Sequence, residues 1–284
     1  MLRARELAGT MRDLKDGVAV VTGAARGIGK ALALELARAG MHVMLADLDE
    51  RELPQVAREV EALGRRAAWM TLDVRAFAQV EALLQRTLAQ LGRCDVMVNN
   101  AGVFHGAALL DTEAEQWQRV LDTNVWGVIH GCRVFGAHFV RQGRGHIVNT
   151  SSAAGLFPVP GMSAYSTGKY AVVGLSLQLR WELAQSGVGV TVLCPGVVKT
   201  GIARAHGVGL EHLDLEKAVA RSPEPRGLAL KTLKAIRLDR PLVRYGVDAY
   251  VFSLLRLLPL WLIDSFGRFL GKKALRVVRG EETL

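Results

Sequence analysis

The sequence has few cysteines and no apolar run long enough to span a membrane. The three cysteines lie far apart, which argues against both a disulfide framework and a thiolate metal site: Cys94, Cys132 and Cys194. The seven histidines show no metal-ligand spacing, so we predict no catalytic metal. The first sixteen residues mix charges with a few apolar residues and lack the core of a signal peptide. These absences predict a reduced, cytoplasmic setting.

The chain also lacks an internal repeat and a linker rich in Pro, Gly or Ser. Its 284 residues, 50% of them hydrophobic, are enough to bury a substantial core. We therefore predict one α/β domain that follows a short N-terminal extension, residues 1–16.

Three glycines follow a short apolar run near the start of the chain. Residues 18–21 are predicted to form a buried strand, and Gly23, Gly27 and Gly29 follow where a helix would begin. Such glycines allow a tight turn, close approach of the backbone to a pyrophosphate, and packing of the helix on the strand. The spacing differs from the commoner Gly-x-Gly-x-x-Gly, so the loop alone does not distinguish a phosphate site from an ordinary turn.

Strand and helix patterns alternate along the chain. This order predicts a Rossmann-type, doubly wound parallel sheet with helices on both faces and a C-terminal helical extension. Right-handed crossovers would place the loops after the strands at one edge of the sheet. One long helix is predicted over residues 113–141. The predicted strands cover residues 18–21, 41–46, 67–72, 95–98, 146–150, 188–193 and 241–245.

Polar residues follow several of these strands. Asp47 ends the second strand at about the offset from the glycine loop where a carboxylate binds the adenosine ribose, although a turn-opening Asp would look the same. Asp73 ends the third strand and could reach the adenine or cap the next helix. Asn99-Asn100-Ala101-Gly102 offers amides and room for a ribose.

Tyr165 and Lys169 stand four residues apart in a predicted helix. They would share one face, so the ammonium could lower the pKa of the phenol toward the range useful for proton transfer. Ser152, at the end of a strand, could hydrogen-bond a substrate oxygen beside that phenol. Each residue alone has an ordinary structural explanation, and their order along the chain is the stronger signal.

Because these motifs occur together and in this order along the chain, the sequence resembles the classical short-chain dehydrogenase/reductase family. The resemblance runs from about residue 17 to residue 200. It depends on Thr22-Gly23-Ala24-Ala25-Arg26-Gly27-Ile28-Gly29, Asn99-Asn100-Ala101-Gly102, Asn124, Ser152, Tyr165, Lys169 and Pro195-Gly196 through Thr200.

The resemblance implies roles for four catalytic residues. Tyr165 would donate or accept the proton, and Ser152 would position the reacting oxygen. Lys169 would lower the tyrosine pKa and bind the nicotinamide ribose, while Asn124 would hold a water in a proton relay. The resemblance also implies a homodimer or homotetramer packed through the helices near Asn124 and Tyr165.

The cofactor is predicted to be NAD. Asp47 should repel the 2′-phosphate of NADP, whereas Arg26 could attract it, and Leu48 adds no positive charge. The predicted cofactor-binding residues are Thr22, Gly23, Ala25, Arg26, Gly27, Ile28, Gly29, Asp47, Leu48, Asp73, Val74, Asn100, Ala101, Gly102, Tyr165, Lys169, Pro195, Gly196, Val198 and Thr200.

The resemblance weakens after residue 200. Residues 201–245 are predicted to shape the substrate site, with a helix or lid over residues 206–220. Apolar residues there and in neighbouring loops favour a lipophilic substrate, although they could equally pack against each other.

The last part of the chain, residues 246–284, is basic and apolar. Residues 221–284 hold thirteen Lys/Arg and six Asp/Glu, which is +7 of the chain's +9 net charge. The apolar run 251–263 is too short to span a bilayer, so it either contacts a membrane surface or packs on the protein or a partner subunit. Stacking aromatics are not interleaved with the cations, which argues against nucleic acid.

Together these patterns predict an oxidoreductase that moves a hydride between NAD(H) and an alcohol or carbonyl compound. The alternatives are an NADP-dependent carbonyl reductase, a non-catalytic cofactor-binding scaffold, and an epimerase or dehydratase that uses NAD transiently.

Overall fold

A seven-stranded parallel sheet forms the centre of the protein. The computed structural model describes residues 11, 13–200 and 219–278. The strand order is β3-β2-β1-β4-β5-β6-β7, with every pair parallel, which confirms the predicted fold. The strands are β1 Val18–Thr22, β2 His42–Asp47, β3 Ala67–Thr71, β4 Val96–Asn99, β5 Gly145–Thr150, β6 Val188–Pro195 and β7 Leu242–Tyr245.

Helices cover both faces of the sheet. In β1, Ala19 and Val21 pack on one face and Val18 and Val20 on the other, because successive strand residues point to opposite sides. Helices α1, α2 and α7 cover the first face, and α3, α5 and α6 cover the second. The helices in the described part are α1 Gly27–Arg38, α2 Leu53–Glu61, α3 Phe77–Leu91, α4 Ala114–Leu121, α5 Gly127–Gln142, α6 Ser163–Glu182, α7 Pro225–Arg237, α8 Val247–Leu255 and α9 Leu260–Val278.

The strand order reverses direction between β1 and β4. Connections from these two neighbouring strands diverge to opposite faces, which opens a crevice at the carboxyl edge of the sheet. Ligands of open parallel sheets bind in such crevices, so the fold itself locates the site.

The helix predicted over residues 113–141 is present over residues 114–142 and contains one π-helical turn. A single π-helical turn, Asp122–Trp126, separates α4 from α5. Asn124, at the centre of this turn, bonds through its side chain to the backbone of Val103 instead of facing solvent. The wider turn accommodates that contact, and π turns of this kind are frequent at functional sites.

Helix α8, predicted as part of the C-terminal extension, packs against the sheet domain. It packs on β7 and on the short 3₁₀ turn Ala153–Gly155 that follows β5. Most of the predicted lid, residues 206–218, and the N-terminal residues 1–10 lie outside the described residues. No helix in the described ranges is both long and apolar enough to cross a membrane.

Candidate active site

A cavity of about 990 Å³ lies at the carboxyl edge of the sheet. Loops that follow β1 to β6 line it, and α6 and α8 close one side. Of the predicted site residues, those that line the cavity are Gly23, Arg26, Gly27, Ile28, Asp47, Leu48, Asp73, Val74, Asn100, Ala101, Gly102, Ser152, Tyr165, Lys169, Pro195, Gly196, Val198 and Thr200. Four others, Thr22, Ala25, Gly29 and Asn124, lie behind the cavity wall.

The glycine loop presents an open helix N-terminus to the cavity. Helix α1 begins at Gly27, and the side chain of Arg26, its N-cap residue, makes no capping hydrogen bond. The N–H groups of the first turn therefore remain available to an anion. A Cβ on Gly29 would collide with the backbone of Gly23, so this position requires glycine for packing. The loop thus fits the pyrophosphate of a dinucleotide.

Thr22 and Asn100 hold the loops after β1 and β4 together. The Thr22 hydroxyl accepts the N–H groups of Asn100 (3.0 Å) and Ala101 (3.1 Å). The Asn100 side-chain amide donates to the carbonyl of Thr22 at 3.0 Å. The other amide of the pair, Asn99, points into the core and donates to Asn149 at 2.8 Å. Of the two asparagines, only Asn100 faces the cavity.

Two carboxylates and two arginines surround the end of the cavity beside β2. Asp47 accepts the N–H of Ala25 at 2.9 Å and that of Asp49 at 3.0 Å, so it also shapes the glycine loop. Asp49 forms ion pairs with Arg51 (2.7 Å) and Arg26 (3.4 Å). The hydrogen bond from Arg51 is the main cause that lowers the pKa of Asp49 to about 2. Asp49 therefore counters the positive charge that Arg26 brings to this end.

The loop after β3 is held by α5. His130 bonds through Nδ1 to the carbonyl of Val74 at 3.0 Å, and Gly127 packs directly on the Val74 side chain. Asp73 pairs with Arg75 at 2.6 Å, which lowers the pKa of its carboxyl. This arrangement leaves Val74 as an apolar surface facing the cavity.

Ser152, Tyr165 and Lys169 meet at the floor of the cavity. Tyr165 and Lys169 project from the same face of α6, and Ser152 follows β5. Burial raises the pKa of the Tyr165 phenol, and a hydrogen bond with Ser152 opposes that rise. The Ser152 hydroxyl also accepts the N–H of Ala154 at 3.2 Å. It donates to the carbonyl of Pro195 at 3.4 Å. Because the hydroxyl and the phenol both line the cavity, they could together hold one substrate oxygen.

Lys169 is buried and bonds to the protein backbone. Its Nζ donates to the carbonyl of Thr150 at 3.0 Å and lies 5.6 Å from the centroid of the Tyr165 ring. Burial lowers the pKa of Lys169 to about 8. The lowering of the tyrosine pKa by Lys169 stays a prediction; in the structure the ammonium bonds to Thr150 and lies beside the phenol ring.

Asn124 supports the loop after β4. Its Oδ1 accepts the N–H of Val103 and its Nδ2 donates to the carbonyl of the same residue, both at 2.8 Å. It is fully buried, and it adjoins Lys169 across Gly102. The water-holding role implied for Asn124 stays a prediction.

The segment after β6 is held by a residue that sequence reasoning missed. Asp248, in the first turn of α8, accepts the N–H of Val197 at 2.8 Å. A Cβ on Gly196 would overlap this carboxylate, so the close approach requires glycine. The only sequence signal was an acidic residue directly after Gly246-Val247 at a helix start, within a segment assigned to the C-terminal extension.

An apolar wall lies opposite the glycine loop. Phe252 of α8 lines the cavity and stacks on Phe157, with 5.4 Å between ring centroids. Phe104 packs edge-on against Tyr165 at 5.0 Å. Val159, Met162 and Val219 complete this side. Among the described residues, no cluster of three His, Cys, Asp or Glu side chains could hold a metal ion.

The fold and the site define a dinucleotide-binding oxidoreductase. The short chain dehydrogenase family model matches residues 17–208, and the chain belongs to this family. "Probable oxidoreductase EphD" of Mycobacterium tuberculosis is 39% identical over 257 residues, 86% of this chain; the match spans only 43% of that relative's length. "Oxidoreductase UcpA" of Salmonella typhimurium is 37% identical over 196 residues, 69% of this chain and 74% of the relative.

A solved structure shows the same architecture. A short chain dehydrogenase/reductase from Burkholderia phymatum, crystallised in complex with NAD, superposes with a TM-score of 0.81 and 34% identity. The likeness covers 89% of this chain and 96% of that one. The structural likeness therefore includes part of the chain after residue 208, where the match to the family model ends.

Proposed function

We propose that the protein is an NAD-dependent oxidoreductase that interconverts a lipophilic alcohol and its carbonyl compound. The observation that carries this proposal is that Ser152 and Tyr165 both line the cavity, with Lys169 Nζ 5.6 Å from the centroid of the Tyr165 ring. An NADP-dependent carbonyl reductase is the second candidate, because Arg26 and Arg51 stand at the adenosine end.

The proton at the substrate oxygen is assigned to Tyr165. As a phenolate it would take this proton during alcohol oxidation, and as a phenol it would return the proton during reduction, while the Ser152 hydroxyl would hold the oxygen by hydrogen bonding. Lys169, with a pKa of about 8, carries its charge at neutral pH and stands beside the ring. When bound, NAD supplies the nicotinamide carbon that accepts the hydride or returns it.

The remaining cavity residues would hold and orient the cofactor. The open N-terminus of α1 receives the pyrophosphate, Asp47 receives the adenosine ribose, and the segment 195–200 receives the nicotinamide end. Asp47 favours NAD because a carboxylate at this place repels a 2′-phosphate. The pairing of Arg26 with Asp49 supports the same choice.

The substrate class follows from the apolar wall. A lipophilic substrate could contact the apolar side chains of Phe104, Met162 and Phe252. These side chains line the same cavity as the polar groups of Ser152 and Tyr165. We include in the proposal a homodimer or homotetramer and contact of residues 246–284 with a membrane surface. The exposed apolar side of α8 supports that contact.

Tyr165→Phe tests this proposal. The variant keeps the ring but loses the proton carrier, so kcat for alcohol oxidation should fall at least about a thousandfold. The dissociation constant of NADH, measured by fluorescence, should stay within about threefold of wild type because the loop contacts are unchanged. Trp181→Phe, an exposed aromatic on the same helix, is the matched control. Retained turnover in Tyr165→Phe would refute the assignment.

A further inference from the structure

Helix α8 has two faces with different surroundings. On the inner face, Asp248 bonds to the backbone after β6, Ala249 is buried, and Phe252 stacks on Phe157 in the cavity wall. The outer face is apolar and exposed. The same short helix therefore contacts both the substrate cavity and solvent.

The outer face continues beyond the helix. Its exposed apolar residues in α8 follow the spacing i, i+3, i+4, i+7 of a single helix side, and the next turn and the start of α9 add more. We call this set the apolar ridge: Val247, Tyr250, Val251, Leu254, Leu257, Leu258, Leu260 and Trp261. Side-chain exposure reaches 81% at Val247 and 79% at Leu257 and Leu260. A contiguous stretch of this kind marks an interaction surface.

Cations accompany the apolar ridge. Arg256 follows α8, and Arg268, Lys272 and Arg276 stand on α9, all exposed. Two acids lie nearby: Asp248 accepts the N–H of Val197, and Asp264 pairs with Arg268 at 2.8 Å. The four cations therefore outnumber the nearby acids. Apolar side chains, an exposed Trp and cations together are typical of surfaces that sit among anionic lipid headgroups.

We propose that the apolar ridge docks on an anionic lipid bilayer, and that α8 thereby places the substrate cavity at the membrane surface. The docking deepens the membrane contact included in the proposed function, and the route for substrate rests on the enzyme assignment. A second copy of the chain is the less favoured occupant. A twofold interface would bring the cations of both copies to one surface, where like charges repel each other.

Vesicle co-sedimentation of the full chain tests the docking. The probes are vesicles of phosphatidylcholine alone and of phosphatidylcholine mixed with phosphatidylglycerol. Wild type should bind the mixed vesicles, and binding should weaken as salt is raised because the headgroup attraction is screened. Failure of wild type to bind the mixed vesicles, or equal binding to both kinds, would overturn the proposal.

A matched pair of triple variants locates the surface. Leu254→Gln, Leu257→Gln and Trp261→Gln together should reduce binding to mixed vesicles at least about tenfold, because the apolar area available to lipid is lost. The control changes equally exposed residues elsewhere: Leu110→Gln, Trp181→Gln and Leu230→Gln. It should bind as wild type does. Equal losses in both variants, or no loss in the ridge variant, would contradict the assignment to this surface.

Two further readouts separate the docking from the enzyme assignment and from self-association. NADH binding by the ridge variant, measured without vesicles, should match wild type, which shows that the fold is intact. Vesicle binding needs no turnover, so it can succeed even if the oxidoreductase proposal fails. If the ridge variant instead changes from oligomer to monomer in size-exclusion chromatography, the occupant is a second copy and the bilayer proposal is overturned.

Discussion

The two ends of the described chain contribute differently to one cavity. Up to residue 200, hydrogen bonds between side chains and the backbone fix the loops at the sheet edge: Thr22 accepts from Asn100, Asn100 donates to Thr22, and Lys169 donates to Thr150. After residue 219, helix α8 reaches the cavity mainly through Asp248 and Phe252. The proposed catalytic groups thus lie in the first segment, whereas the apolar wall combines Phe104, Val159 and Met162 of that segment with Val219 and Phe252 of the second. Changes in one segment should therefore alter chemistry, and changes in the other should alter positioning and access.

Of the variants that test the different roles of the two segments, those of Asp248 should change kcat/KM most. Asp248→Ala leaves the N–H of Val197 without its acceptor and should lower kcat/KM about ten- to a hundredfold, as expected for loss of one charged hydrogen bond. Asp248→Asn keeps an acceptor oxygen and should restore activity to within about fivefold of wild type. Steady-state kinetics with NADH titrations would separate effects on KM from effects on kcat.

The control for this test is Asp264→Ala, which removes an exposed carboxylate on α9 that pairs with Arg268. It should leave kcat/KM unchanged. Wild-type kinetics in Asp248→Ala would show that α8 does not position the segment after β6, and the comparison would fail.

Variants in the segment before residue 200 that alter the choice between NAD and NADP should give smaller changes in kcat/KM. Asp47→Ser removes the carboxylate expected to repel a 2′-phosphate and should lower the ratio of kcat/KM for NAD over NADP about tenfold. Asp49→Asn releases Arg26 and Arg51 while Asp47 stays in place, so it should lower the same ratio about threefold.

The matched control for both variants is Asp111→Asn, which lies in the 3₁₀ turn Leu109–Asp111 outside the residues lining the cavity. In Asp111→Asn the ratio of kcat/KM for NAD over NADP should equal that of wild type. A ratio that rises in either cofactor variant would mean that the acids at the end of β2 do not exclude the phosphate.

The sequence predicted the parallel sheet and the cavity-lining residues where they depend on local patterns. Gly23, Gly27 and Gly29 show a backbone requirement directly, and the Tyr165–Lys169 spacing shows a shared helix face. The order of these motifs was enough to identify the family.

Other features depend on contacts between distant parts of the chain. The π turn around Asn124 arises from its bonds to Val103, and the countercharge on Arg26 comes from Asp49 beyond the next strand. Asp248 bonds to a residue fifty-one positions earlier, which no local pattern reveals. These contacts became visible only in the folded structure.

We propose above all that this cavity oxidises a lipophilic alcohol with NAD. The formation of NADH that depends on added alcohol tests this proposal most directly. Wild-type protein would be incubated with NAD or NADP and with apolar secondary alcohols, and absorbance would be followed together with the carbonyl product. The account predicts one carbonyl formed per NADH and a higher kcat/KM with NAD than with NADP. No cofactor reduction with any alcohol, or a clear preference for NADP, would contradict it.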